Sequence, residues 1–206
     1  SDACGNGTRC VAHLLSKENN KKEINLTVAS KVLKSIIFDN NLVETSIGLP
    51  KFNWSDIPLS KISDTKNLKI KLIDKEYKEH IGGIAVNVGN PHVIFFVEDI
   101  DNFNIEKIGP QIENHELFPK KCNVTLAKKI NENLIKVKVW ERGAGLTKAC
   151  GTAACATAVA ANLENLSGSK TEIEFSTGKL LIKIDEKNNI KMIGHVSQIE
   201  EIKINI

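Results

Sequence analysis

Short runs of β-branched and aromatic residues alternate with polar turns along most of the chain, and two clearly apolar helical stretches interrupt them. From Gly5 to about Lys17 the apolar residues Cys10, Val11, Leu14 and Leu15 recur at helical spacing, and the polar break KENNKKE ends them, which predicts a first helix. INLTVA and TSIGL then read as strands. The turn-rich stretch GLPKFNWSDIPLS marks a domain boundary near Gly48. KIKLI, GIAVNV and HVIFFVE follow as three more strands, and Asn104 to Phe118 predicts a surface helix or helix pair broken at Gly109-Pro110. NVTLAKKI and LIKVKVW are strands again. The second shows strict alternation, with Ile135, Val137 and Val139 on one face and Lys136, Lys138 and Trp140 on the other.

The segment GTAACATAVAANLENL is helical in pattern and almost entirely small and apolar up to Ala161. A helix apolar all round is buried all round, and side chains this small let other backbone approach from every side. A helix threaded through or wrapped by sheet is therefore expected. EIEFS, KLLIKI, IKMIG and QIEEIKINI close the chain as four further strands, and the class is α+β.

Composition narrows the function. With 206 residues, 41% hydrophobic, 26% charged and a net charge of +3, the chain can bury a core without a disulfide or metal staple. No apolar run approaches the roughly 18 residues of a membrane-spanning helix, and SDACGNGTRC is neither a signal nor a transit peptide. The chain reads as soluble and cytoplasmic, with no membrane partner. Its lysines are scattered and aromatics are only 5%, so there is no stacking platform or basic patch for nucleic acid. Five cysteines, none in a CxxC pair, argue for reduced thiols and no metal site. A Gly-rich phosphate loop is also missing, so no nucleotide cofactor is expected. Among 28 Lys and Arg residues only Arg9 and Arg142 are arginines, and each lies near a Cys-Gly dipeptide, where a planar guanidinium has a use that Lys cannot fill.

Residues 3 to 10 read ACGNGTRC and residues 149 to 156 read ACGTAACA, a degenerate internal repeat that places Ala-Cys-Gly before each helix. At a helix N-terminus, unpaired N–H groups and the macrodipole stabilise anions, a thiolate or a carboxylate among them. Two thiols beside two anion cradles suit removal of a proton from an amino-acid α-carbon on one face and its return on the other. Cys10, Cys122 and Cys155 are read instead as small buried hydrophobes. A single thiol nucleophile with His92 or His13 as base is the competing chemistry, and it leaves the second motif unexplained.

ACGNGTRC, GNPH at Gly89 to His92 and WERGAGLTKACGTAACA at Trp140 to Ala156 together resemble the diaminopimelate epimerase family, in order and spacing over essentially the whole chain. Proline racemases and hydroxyproline epimerases share the two-Cys fold but typically carry a His after the first Cys-Gly and lack the ERGAG approach to the second. Phenazine-type isomerases of the fold lack the two thiols. The resemblance implies two pseudo-symmetric domains, each a β-barrel-like sheet wrapped around a central helix, with the site between them. Residues 1–48 plus 194–206 would be the remnant of the N-terminal barrel, and 49–193 the C-terminal barrel. Cys4 and Cys150 match the acid/base pair. Gly5, Asn6, Gly151 and Thr152 match substrate contacts at the helix ends, and Asn90 and Asn123 match substrate-binding asparagines. Glu141 and Arg142 match the pair that recognises the distal amino-acid end, and His92 and Glu141 are candidates to take protons from the thiols. No cofactor is implied; the partner is diaminopimelate itself, and a homodimer is compatible with the family. Arg9 is expected to be structural.

Two departures go with the resemblance. Family members carry further residues before the first Cys, with GNDF-like and NADG-like segments. The chain begins without an initiator Met, so it reads as one whose start is missing, with its first helix partly uncovered and a sheet edge open. Leu146 also stands where the family has an acidic residue. A non-catalytic copy that binds a ligand or partner through the C-terminal barrel, and a proline-type racemase, are the alternatives.

Overall fold

The computed structural model describes residues 5–28, 31–198 and 200. Among them, helix α1 (Gly5–Asn19) leads into a three-stranded meander, β1 (Glu23–Val28), β2 (Lys31–Ile37) and β3 (Leu42–Gly48). A small hairpin of β4 (Ile70–Ile73) and β5 (Glu79–Gly82) precedes β6 (Ile84–Asn87) and β7 (Pro91–Phe96). Helix α2 (Ile105–Glu113), β8 (Asn123–Asn131), β9 (Leu134–Glu141) and the short β10 (Gly145–Thr147) follow. The chain continues through α3 (Gly151–Leu163), β11 (Lys170–Phe175), β12 (Gly178–Ile184) and β13 (Ile190–His195).

One 11-stranded sheet runs β1-β2-β3-β13-β12-β11-β9-β8-β7-β6, with β10 paired to β9. Its pairs are antiparallel except β7 with β8 and β9 with β11. The meander joins the rest through β3 and β13, where Val43 faces Gly194 and Leu42 faces His195.

Period-2 alternation gives β6 to β9 two buried faces. Ile84, Val86, Ile94, Ile135, Val137 and Val139 point to α3, together with Ile173, Ile182, Ile190 and Met192 from the closing strands. Ala85, Val93, Phe95, Val124 and Leu126 point the other way, against Ile105, Ile108 and Ile112 of α2. Every residue of α3 from Gly151 to Ala161 is buried, as its composition predicts. A third, smaller cluster of Ala12, Ile24, Ile37, Val43 and Val196 lies beneath α1.

Four expectations are corrected. First, α2 is one helix through Gly109-Pro110. Its Ile105, Ile108 and Ile112 stripe is buried, and Asn104 caps it by accepting from the Lys107 N–H at 3.2 Å. The N–H that Pro110 lacks would have served the carbonyl of the exposed Glu106, which water can reach. Gly109 is required by proximity, since a Cβ there would lie 2.5 Å from Cγ of Trp140. Second, β2 is a full strand that the hydrophobic pattern passed over, because its inward Ser35 is satisfied by the hydroxyl of Thr45 at 2.7 Å while Val32 is exposed. Third, the short β5 and β10 also went unread. Fourth, α1 faces the sheet with Thr8, Arg9, Ala12 and His13, and its Cys10, Val11 and Leu14 are exposed. The predicted strand QIEEIKINI falls largely outside the described residues, as does Cys4.

Candidate active site

Two helix N-termini meet at one place. Gly5 opens α1 and Gly151 opens α3, and a Cβ built on Gly5 would lie 4.0 Å from the Gly151 Cα. Met192 of β13, fully buried, sits against both: a Cβ on Gly151 would come within 2.9 Å of its Sδ, and one on Gly5 would overlap its methyl group. Asn6 belongs to the same junction, its Oδ1 3.3 Å from that Gly151 Cβ position. Glycine at both helix starts is thus what permits the approach. The glycines of the duplicated Ala-Cys-Gly motif are thus neighbours in space, with Cys150 the N-cap of α3 and Cys4 the residue before Gly5 in sequence.

Cys150 is buried, and its Sγ lies 3.5 Å from the Thr152 hydroxyl. The N–H of Ala153 and the Thr152 hydroxyl both favour a thiolate, as a helix start should. Burial outweighs them, and the Glu141 carboxylate beside the thiol adds to it, so the pKa is pushed up to about 11. The expectation that the macrodipole lowers it is reversed here: desolvation wins, and Cys150 is a thiol near neutral pH.

The remaining predicted residues form a connected set on one side of Cys150. His92 of β7 and Asn123 of β8 are register partners on adjacent parallel strands. His92 is fully buried; its Nε2 hydrogen-bonds Asn90 Oδ1 at 2.9 Å, and its Nδ1 is buried with no hydrogen-bond partner. Desolvation, with the charge of Arg142 nearby, lowers its pKa to about 3, so the ring is neutral and keeps a lone pair. Asn123 donates from Nδ2 to the Pro91 carbonyl at 2.8 Å and accepts from the Arg142 N–H at 3.0 Å. Arg142, exposed, also donates from Nη1 to the Lys120 carbonyl at 3.1 Å. Glu141 ends β9, and the turn after it closes with the Ala144 N–H on the Glu141 carbonyl at 3.0 Å. Gly143 and Gly145 in that turn have φ of +75° and +85°, which glycine adopts without strain.

The ten predicted site residues that are described, Gly5, Asn6, Asn90, His92, Asn123, Glu141, Arg142, Cys150, Gly151 and Thr152, are all placed within this pair of neighbouring clusters. Arg9 is buried in α1, its guanidinium packed under Gly194, and takes no place among them. Cys122 and Cys155 are buried as expected, whereas Cys10 is exposed.

Sequence reasoning missed two contributors. Met192, the only methionine of the chain, wedges between the helix starts; IKMIG read as a strand and gave Met192 no special place. Glu113, at the end of α2, is an acidic residue in an apolar stripe and is buried. It accepts from Trp140 Nε1 at 2.7 Å and from the Gly143 N–H at 3.1 Å. Among the described residues, no helix is long and apolar enough to cross a membrane.

The profile of the family described as diaminopimelate epimerase matches residues 84–199. A diaminopimelate epimerase of Pelagibacter ubique is 68% identical over all of this chain, which spans 75% of that protein's length. One from Agrobacterium fabrum is 38% identical over 94% of this chain and 67% of its own. Among solved structures, a hydroxyproline epimerase from Agrobacterium vitis with bound trans-4-hydroxy-L-proline superimposes with a TM-score of 0.63 over 94% of this chain and 63% of that one. At 13% identity that likeness speaks for the fold.

Proposed function

The chain belongs to the diaminopimelate epimerase family, and we propose that it interconverts LL- and meso-diaminopimelate by a two-thiol exchange of the α-proton. The observation that supports this reading is the meeting of the two helix starts at Gly5 and Gly151, the glycines of the two Cys-Gly motifs.

An α-carbon next to a carboxylate is a weak acid, and its carbanion needs preorganised positive potential. Two helix N-termini directed at that carboxylate supply it without a cofactor. One sulfur, as thiolate, takes the proton from one face, and the other, as thiol, gives a proton to the opposite face. Cys150, held protonated by burial and by Glu141, enters as the donor. Cys4 is then the base in that direction, and the roles exchange in the reverse reaction. After the transfer Cys150 is a thiolate, and Glu141 beside it provides a route by which a proton returns. Neutral His92, with an unpaired Nδ1, is the second acceptor in the cluster. Arg142 takes the distal carboxylate and Glu141 the distal ammonium of the substrate, a bidentate role that Lys would fill less well.

Proton NMR in D₂O tests the reading, by following α-hydrogen exchange in LL- and meso-diaminopimelate, proline and glutamate. Exchange is expected with diaminopimelate alone, and Cys4→Ala and Cys150→Ala should each abolish it. Exchange that survives either substitution, or that appears with proline instead, overturns the proposal.

A further inference from the structure

We propose that Glu113 is a positioning residue for substrate selection: through its two carboxylate oxygens it fixes the turn that carries Glu141 and Arg142, and so sets recognition of the distal end of the substrate. The proposal rests on the epimerase reading for the identity of that substrate.

Glu113 does not lie in either Cys-Gly motif, and its side chain has no need to be where it is for the core to close. It ends the apolar stripe of α2, where a hydrophobic residue would bury more cheaply than a carboxylate. The carboxylate is nonetheless buried, 5% exposed, and both oxygens are used. Oε2 accepts from the indole N–H of Trp140 at 2.7 Å, and Oε1 accepts from the backbone N–H of Gly143 at 3.1 Å. Lys121 Nζ, 3.7 Å from Oε1, supplies a partly exposed countercharge. Trp140 and Gly143 immediately flank Glu141 and Arg142 in sequence, so the carboxylate grips the recognition pair from both ends.

The grip has a defined purpose. Glu141 and Arg142 stand at the end of β9 on a turn with two positive-φ glycines, Gly143 and Gly145, neither of which has a side chain to hold it. Asn123 secures the Arg142 N–H at 3.0 Å, and the Lys120 carbonyl secures its guanidinium at 3.1 Å. Among the described residues, the Glu113 carboxylate bridges Trp140 and Gly143 across the turn. A misplacement of about 1 Å in such a recognition pair costs catalysis far more than stability.

Glu113→Gln tests this. Both partners of the carboxylate are donors, and an amide can accept from only one of them, so the substitution keeps size and shape and breaks one contact. Trp140→Phe removes the indole N–H by another route. Hydrogen exchange should show the Gly143–Gly145 amides losing protection at least tenfold in Glu113→Gln, while α3 amides keep theirs and so report an intact fold. In turnover, KM for diaminopimelate should rise about tenfold with kcat changed less than threefold. The slower exchange of the α-proton of 2-aminoheptanoate, which lacks the distal amino-acid end, should change less than threefold. Trp140→Phe should shift the same two readouts in the same direction. Unchanged protection at Gly143, or equal losses with both substrates, overturns the proposal. Failure of the unaltered chain to exchange diaminopimelate overturns the epimerase reading and the selection role with it, while the hold on the turn is still read from Gly143 protection.

Discussion

Helices α1 and α3 each open on the glycine of an Ala-Cys-Gly sequence and end up in different surroundings. Around α3 the strands close on every side, and eleven consecutive positions from Gly151 to Ala161 are buried. Among the described residues, α1 packs mainly on one side, with β1, β2 and β3 against the face of Ala12 and His13, while Val11 is 47% and Leu14 39% exposed. At their first residues the two helices are nonetheless alike, each a glycine against Met192. The lesson is that the junction between the two helices depends on their starts and their packing on their flanks, and that the two can be altered separately.

The largest effect is expected where the wrapping is complete. Ala158 is fully buried in α3, and Leu there adds three heavy atoms to a close-packed wall. Ala158→Leu should cost about 3 kcal/mol or prevent folding. Urea unfolding measures it, and a cost under about 1 kcal/mol would show that the sheet around α3 is looser than its burial implies.

Acid should weaken the same side of the molecule by a smaller amount per unit of pH. His92, packed in the strand layer over α3, has its pKa lowered from 6.5 to about 3 by burial, with Arg142 adding to the effect. A depressed pKa in the folded state means that the unfolded chain binds the proton first. The stability His92 confers is therefore complete above pH 6.5 and is lost as pH falls from there toward about 3. The slope should approach 1.4 kcal/mol per pH unit at about one proton taken up on unfolding. Urea midpoints across that range should show it, and His92→Gln should flatten the curve. An unchanged slope in the variant would place the acid sensitivity in other groups.

The same contrast explains what could be read beforehand. Helix α3 was legible because a run of Gly, Ala, Thr and Cys has no polar face to offer solvent. The two-faced strands β7, β8 and β9 were legible because β-branched residues fill both sides or alternate with Lys. In α1 the largest apolar side chains misled, since the face turned to the sheet carries Gly5, Thr8, Ala12 and His13. Those positions have helical spacing too, and the need for close approach at Gly5 chose them over Val11 and Leu14. Strand β2 was hidden by Ser35 and Lys residues that only its pairing with β3 makes sense of. For the candidate site, the repeat located both helix starts, and the resemblance of the ERGAG run pointed to the turn that follows β9. Glu113 and Met192 lay beyond reach because neither stands in a motif, and their roles arise from contacts with residues far away in sequence. The direction of the Cys150 shift was missed for a related reason: helix position can be read from sequence, whereas desolvation depends on the finished core.

The smallest effect should come from the open flank of α1. Val11 and Leu14 lie on the solvent side, so Val11→Ser and Leu14→Gln remove little buried area and leave no cavity. Each should change unfolding free energy by less than about 0.5 kcal/mol, and the double variant by less than about 1 kcal/mol. A cost of about 2 kcal/mol would show that this face is covered in solution. Thiol labelling reads the same flank independently: Cys10, exposed on α1, should react at the rate of an unfolded thiol, while buried Cys122 and Cys155 should react only as the protein unfolds. If Cys10 were protected and the double variant costly, the difference between the two helices would lie in what covers α1 and not in how its residues are arranged. A labile Cys10 with a neutral double variant would fix the asymmetry as a property of the folded chain itself.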